Sequence, residues 1–138
     1  MIDWGGEKLP GLVEFTRVPL RVQLEFVSAK TSPPQGIQVR MRGGSLVVNG
    51  QEGVNFTLWH DATPRFVDLE VHPAGRGTPS LKLWNIWRGG LDVTQAWLGN
   101  SAMKVDGDIE GSSFVLRCSD GEGKPDFDDL VVAVRLDR

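Results

Sequence analysis

The sequence predicts an all-β fold, two antiparallel sheets packed as a β-sandwich or jelly roll, and three observations predict it. Apolar residues recur at every second position in several segments, turn-forming residues separate those segments at short intervals, and 17 glycines accompany few helical patterns. Strands at this spacing, each half apolar, bury their apolar faces against one another as two packed layers.

The first clear strand carries Leu20, Val22, Leu24 and Phe26, alternating with Arg21, Gln23 and Glu25. Successive side chains of a strand point to opposite faces, so this segment buries one face and wets the other. The turn residues Ser32-Pro33-Pro34-Gln35-Gly36 follow, and Ile37, Val39 and Met41 then alternate with Gln38, Arg40 and Arg42. Arg42-Gly43-Gly44 marks the next break. Asn49-Gly50 is the strongest hairpin signal, because both central positions of a type I′ turn need positive φ. It is expected to join 45–48 to 53–59, where Val54, Phe56 and Leu58 alternate with Asn55 and Thr57. Thr63-Pro64 precedes Val67, Leu69 and Val71, set against Asp68, Glu70 and His72, and Pro73-Ala74-Gly75 and Gly77-Thr78-Pro79 end that strand. Trp84 and Trp87 straddle Asn85-Ile86, so on a strand one of the two faces the core and the other faces out. Segment 91–104 reads as loop or irregular strand, with Gly99-Asn100 stopping any helical turn at Ala96, Trp97 and Leu98. After Asp106-Gly107, segments 114–118 and 130–136 are rich in apolar and β-branched residues and complete at least seven strands.

At 138 residues the chain suits a single domain, 1–138, with a core large enough to fold without staples. Its lone cysteine, Cys118, excludes a disulfide scaffold and reads as a small buried hydrophobe. A net charge of −3 argues against nucleic acid as a partner, and no apolar run reaches membrane-spanning length. The first ten residues show no signal-peptide pattern, which leaves a cytoplasmic location or export by a non-classical route and predicts a soluble protein.

The charge is unevenly placed. Between Asp106 and Asp129 the chain nets −6, leaving the other 114 residues at +3. Its densest part is Cys118-Ser-Asp-Gly-Glu-Gly-Lys-Pro-Asp-Phe-Asp-Asp-Leu-Val-Val. Carboxylates this close repel one another unless they are solvated or share a cation, so loop 120–129 is either a wet turn or a cation site. A hard cation such as calcium takes six to eight oxygens, and Asp120, Glu122, Asp126, Asp128 and Asp129 are the expected metal ligands. The spacing is not that of an EF-hand, because Val131 falls where the bidentate glutamate belongs and Pro125 where the glycine turn belongs. Elsewhere the chemistry is sparse. His60-Asp61 adjoin in sequence but face opposite ways on a strand, no nucleophile signature such as Gly-x-Ser-x-Gly occurs, and one Cys with two isolated His lacks zinc spacing. The domain therefore reads as non-enzymatic, although a carboxylate pair from distant strands, as glycoside hydrolysis uses, is invisible in sequence.

Asp120-Gly121 followed by Asp126-Phe127-Asp128-Asp129-Leu130-Val131-Val132, close to the C-terminus, resembles the calcium loop and last strand of the small calcium-dependent fucose- and mannose-binding bacterial lectins. It is also similar to acidic segments near the ends of bacterial surface β-domains. The resemblance covers about fifteen to twenty residues and implies a β-sandwich lectin whose loop-held calcium binds sugar hydroxyls. It makes Asp126, Asp128 and Asp129 calcium ligands and Asp120 the upstream ligand. Lys124 stands near the family's further acidic ligand, so one calcium ion is implied rather than two.

Two functions follow as expectations. The first is a calcium-assisted binding module for carbohydrate, with Asn85, Trp87, Gln95 and Asn100 as sugar-contacting residues chosen by type and with self-association into a homo-oligomer. The second is a structural or protein-interaction domain in which the acidic loop is a solvated turn and a strand edge or face binds a protein surface.

Overall fold

Alternation in the sequence becomes pleat in the structure, a computed structural model that describes residues 2–4, 7–15, 17–89, 93–97 and 101–138. Among these there are fourteen strands and no helix. They are β1 (Ile2–Trp4), β2 (Glu7–Leu9), β3 (Val13–Phe15), β4 (Arg21–Ala29), β5 (Gln35–Arg42), β6 (Gly44–Val48), β7 (Gln51–Gly53), β8 (Asn55–Trp59), β9 (Phe66–Pro73), β10 (Ser80–Arg88), β11 (Thr94–Gln95), β12 (Ala102–Gly107), β13 (Ser113–Ser119) and β14 (Leu130–Asp137). Seven form one sheet in the order β12-β13-β14-β4-β9-β6-β7. Five form the other, β11-β10-β5-β8 with β3 also paired to β10, and β1-β2 is a separate ribbon. Every pairing is antiparallel, and the two sheets make a β-sandwich.

The core lies between the sheets and is built from the alternating residues. Val22, Leu24 and Phe26 of β4, Ile37, Val39 and Met41 of β5, Val67, Leu69 and Val71 of β9, and Val132, Val134 and Leu136 of β14 are all buried in one apolar cluster. Each such side chain contributes about 1.5–3 kcal/mol by leaving water. Leu20 departs from the predicted pattern: it precedes β4 and is exposed.

The chain changes sheets repeatedly, and small residues sit where it does so. Between β5 and β6, Gly43 has φ +73°, and a Cβ on Gly44 would lie 2.4 Å from the His72 carbonyl oxygen. A side chain on Gly44 would push β6 away from its neighbour β9 just where the chain enters the seven-stranded sheet. Asn49 and Gly50, both at positive φ, form the expected tight turn, but its second arm is not one strand. The turn joins β6 only to β7, the chain bends at Val54, and β8 crosses to pair with β5 in the other sheet. The Phe56 ring packs close over Gly53, 3.1 Å from where a Cβ there would be, so a side chain would have to displace the ring by a few tenths of an ångström. No helix among the described residues is long and apolar enough to cross a membrane.

Candidate functional site

Strand β13 ends at Ser119 and β14 begins at Leu130, so loop 120–129 closes the hairpin between two neighbouring strands. On the other side of β14 runs β4. Val131 pairs with Ser28 and Val132 with Phe26, which leaves Val27 as an extra residue in a bulge. The ladder then runs one step past both strands, where the Lys30 N–H donates to the Asp129 carbonyl at 2.9 Å. This register sets Lys30 beside Asp129, although the two stand far apart in sequence.

The Lys30 Nζ lies 2.8 Å from Asp120 Oδ2 and 3.3 Å from Asp129 Oδ1. The two carboxylates are 0% and 2% exposed. Backbone and amide groups take up their other lone pairs. Asp129 Oδ2 accepts the Asp120 N–H at 3.0 Å, Asp120 Oδ1 accepts the Glu122 N–H at 2.9 Å, and Gln35 Nε2 donates to Asp120 Oδ2 at 2.8 Å. Gln35 opens β5, so this last bond ties the loop to the opposite sheet. Ser119 Oγ accepts the Asp126 N–H at 3.1 Å and braces the far side of the loop.

Burial acts against the charge on Lys30, but the hydrogen bonds and charges of Asp120 and Asp129 outweigh it and raise the ammonium above its ordinary value near 10.5. Burial raises the Asp129 carboxyl, and the Asp120 N–H and Lys30 only partly offset that. A raised lysine means that the fold holds this proton more tightly than the unfolded chain does. Its stabilising contribution is therefore complete below about pH 10.5 and is lost as pH climbs through the folded value. Urea titrations from about pH 9 to about pH 11.5 are expected to show stability falling more steeply in the wild type than in a Lys30→Met variant. Equal slopes would remove Lys30 from the account.

The five expected metal ligands are not drawn to one point in this structure. The Lys30 ammonium stands between the carboxylates of Asp120 and Asp129. Asp128 turns outward to Arg117, 3.0 Å away, and Arg117 is also held by Asp106 at 2.7 Å. Asp126 Oδ1 accepts the Asp128 N–H at 2.9 Å, as an Asx turn does, and Glu122 is exposed. The Phe127 ring between them is covered by Lys104, whose Nζ lies 4.5 Å from the ring centre. Among the described residues no group of three or more His, Cys, Asp or Glu side chains converges as a ligand set. The loop is neither a fully solvated turn nor a cluster of free oxygens. It is clipped shut by an internal cation.

The expected sugar-contacting residues also fall in unexpected places. Asn85 is buried, because the alternation of β10 turns it toward the other sheet, and its amide donates to the Ser119 carbonyl at 3.0 Å. Trp87 is buried as well, at 1% exposure, and neither it nor Asn85 is open to a ligand. Gln95 pairs with Trp87 through β11 and its side chain lies against Gly89, while Asn100 lies outside the described residues. The buried Cys118 thiol is pushed well up by desolvation, as suits a core residue, and His60 packs edge-on against Phe26.

The tryptophans that reach the surface are others. Trp84 pairs with Gln38 of β5, which pairs with Thr57 of β8, so the three share the outer face of the five-stranded sheet. Trp84, half-buried there, stacks on Trp97 with ring centres 5.0 Å apart and planes 32° apart. Trp97 is 54% exposed. Its Nε1–H donates to the Gly11 carbonyl at 2.9 Å, and beside it opens a shallow, almost wholly apolar hollow of about 510 Å³ lined by Pro10, Gly11, Leu12 and Trp97. The Trp97 backbone sits at φ +59°, a left-handed conformation rare for a bulky residue. Further along the face the Arg88 guanidinium lies 4.5 Å from the Trp59 ring centre, and Gln38, Asn55 and Thr57 are linked by side-chain hydrogen bonds. The surplus of tryptophan was the sequence signal for this face, but nothing in the sequence separated Trp84 and Trp97 from Trp87. Comparison with protein-family models, curated proteins and solved structures finds no match to this chain.

Proposed function

We propose that the domain is a non-catalytic carbohydrate-binding module whose binding surface is the outer face of the five-stranded sheet around Trp97. The observation that carries this reading is the exposed Trp97 ring, fixed before any ligand arrives by its stack on Trp84 and its hydrogen bond to Gly11. A left-handed backbone at a bulky residue costs about 1–3 kcal/mol, and such strain gathers at binding sites. A rigid indole offers a flat apolar surface to the C–H face of a sugar ring with little loss of entropy on binding. Nearby, Gln38, Asn55 and Thr57 supply amide and hydroxyl groups that donate and accept, as sugar hydroxyls do. The acidic loop is clipped to β4 of its own sheet through Lys30 and to the five-stranded sheet through Gln35, and takes no part in sugar contact.

A glycan microarray run once with calcium and once with a chelator tests both parts of this reading. Binding to a set of glycans that is unchanged by chelation is the expected result. Binding that vanishes with the chelator would return the function to the acidic loop, and the absence of any glycan signal would favour a protein partner for the same surface.

A further inference from the structure

The outer face that carries Trp84 continues into a basic corner. Arg40 and Arg42 alternate with buried Val39 and Met41 on β5, so both guanidinium stems stand on the outer face. Lys82 of β10 pairs directly with Arg40, and Ser80 pairs with Arg42. Together with Gly43, Gly44 and Val54 these residues line a hollow of about 510 Å³ where β5 leaves the five-stranded sheet. The only carboxylate among the described residues that engages this group is Glu14 of β3. It lies 3.9 Å from Lys82 Nζ and accepts a hydrogen bond from Ser80 Oγ at 2.9 Å. Glu14 thus balances Lys82. No ion pair or hydrogen bond among the described residues engages the side chain of Arg40 or Arg42, although the two like charges are neighbours on one face of one strand. Two adjacent guanidiniums without an ion-pair partner among the described residues thus line one hollow.

From this juxtaposition we infer that the glycan is anionic, with an oxyanion, carboxylate or sulfate, seated between Arg40 and Arg42 while a neighbouring ring lies toward Trp84 and Trp97. The inference rests on the carbohydrate reading above and adds the substrate class. Planar guanidiniums suit both oxyanions, because each presents paired N–H donors that match two oxygens of one group. Lys82 and Trp84 are two residues apart on the same face of β10, so the charged corner and the aromatic surface are adjacent.

The test is affinity electrophoresis of the full chain through gels containing polygalacturonate, dextran sulfate, uncharged dextran or polyglutamate. It is run on the wild type, the Arg40→Gln/Arg42→Gln variant and Trp97→Ala. The wild type is expected to be retarded by polygalacturonate or by dextran sulfate, whichever oxyanion the site takes, at least about tenfold more strongly than by dextran. The arginine variant is expected to fall to the dextran level with an unchanged melting temperature, and retardation of the wild type is expected to weaken as salt is added. Equal retardation by charged and uncharged glycans, unaltered in the arginine variant, would overturn the anionic assignment and leave the carbohydrate reading standing. Arginine-dependent retardation that polyglutamate matches and Trp97→Ala leaves intact would mean a general polyanion site and would overturn the glycan assignment. No retardation by any glycan would overturn both. Should the arginine variant melt early, the Arg40→Lys/Arg42→Lys variant replaces it: charge is kept and the fork is lost, so a partial loss on the anionic gels is expected, and no loss would contradict guanidinium recognition.

Discussion

Lys30→Met is expected to lower the stability of the domain by about 3 kcal/mol, with a fall of about 10 °C in melting temperature. The lysine side chain is one-third exposed, but the carboxylates that it serves are not. Without the ammonium, Asp120 and Asp129 face each other as uncompensated buried charges, held only by N–H groups from Glu122, Asp120 and Gln35. Removing one partner of a buried ionic group costs more than the group contributes as a whole, because desolvation of the survivors is no longer offset. A triple variant that also carries Asp120→Asn and Asp129→Asn is therefore expected to recover part of the loss. Thermal and urea denaturation of the three proteins checks this, and a change below about 0.5 kcal/mol for Lys30→Met would mean that the loop is solvated after all.

The second large effect is on binding. Trp97→Ala is expected to weaken the best microarray ligand by about thirtyfold, equivalent to about 2 kcal/mol, while leaving the melting temperature within a few degrees of the wild type. Trp97 is exposed and lies outside the apolar core cluster, so its loss empties no core cavity. The same substitution also frees the Trp84 face that it covered. Calorimetric titration of the two proteins with that ligand separates these effects. A variant that binds as tightly as the wild type would move the site elsewhere on the sheet.

Much of the fold was legible because period-two alternation is a local property. Val22, Leu24 and Phe26, or Val67, Leu69 and Val71, declare their buried face without reference to any partner strand. The sheet to which each strand belongs was not legible. The bend at Gly53 and Val54 that sends β7 and β8 to different sheets depends on the packing of Phe56 over Gly53, a contact formed only in the folded state. The acidic loop was conspicuous as charge, and the two alternatives drawn from it, wet turn or bound ion, were the two ways in which local charge is usually balanced. The third way, a lysine delivered by a strand pairing that joins Lys30 to Asp129, is a long-range fact that spacing does not show. Asn85 and Trp87 were chosen by residue type, and burial in β10 removed them. Trp97 stood in a segment with no clear period, and the position of its ring is set by long-range contacts with Gly11 and Trp84.

The most direct measurement is amide and indole chemical-shift mapping of the ¹⁵N-labelled domain during titration with its best-binding oligosaccharide. The predicted result is a set of shifts centred on the indole N–H of Trp97 and Trp84 and on Gly11 and Gln38, with the amides of loop 120–129 unmoved. Shifts centred on Asp120, Asp126 and Asp129 instead would contradict the assignment of binding to the sheet face and give the loop the ligand.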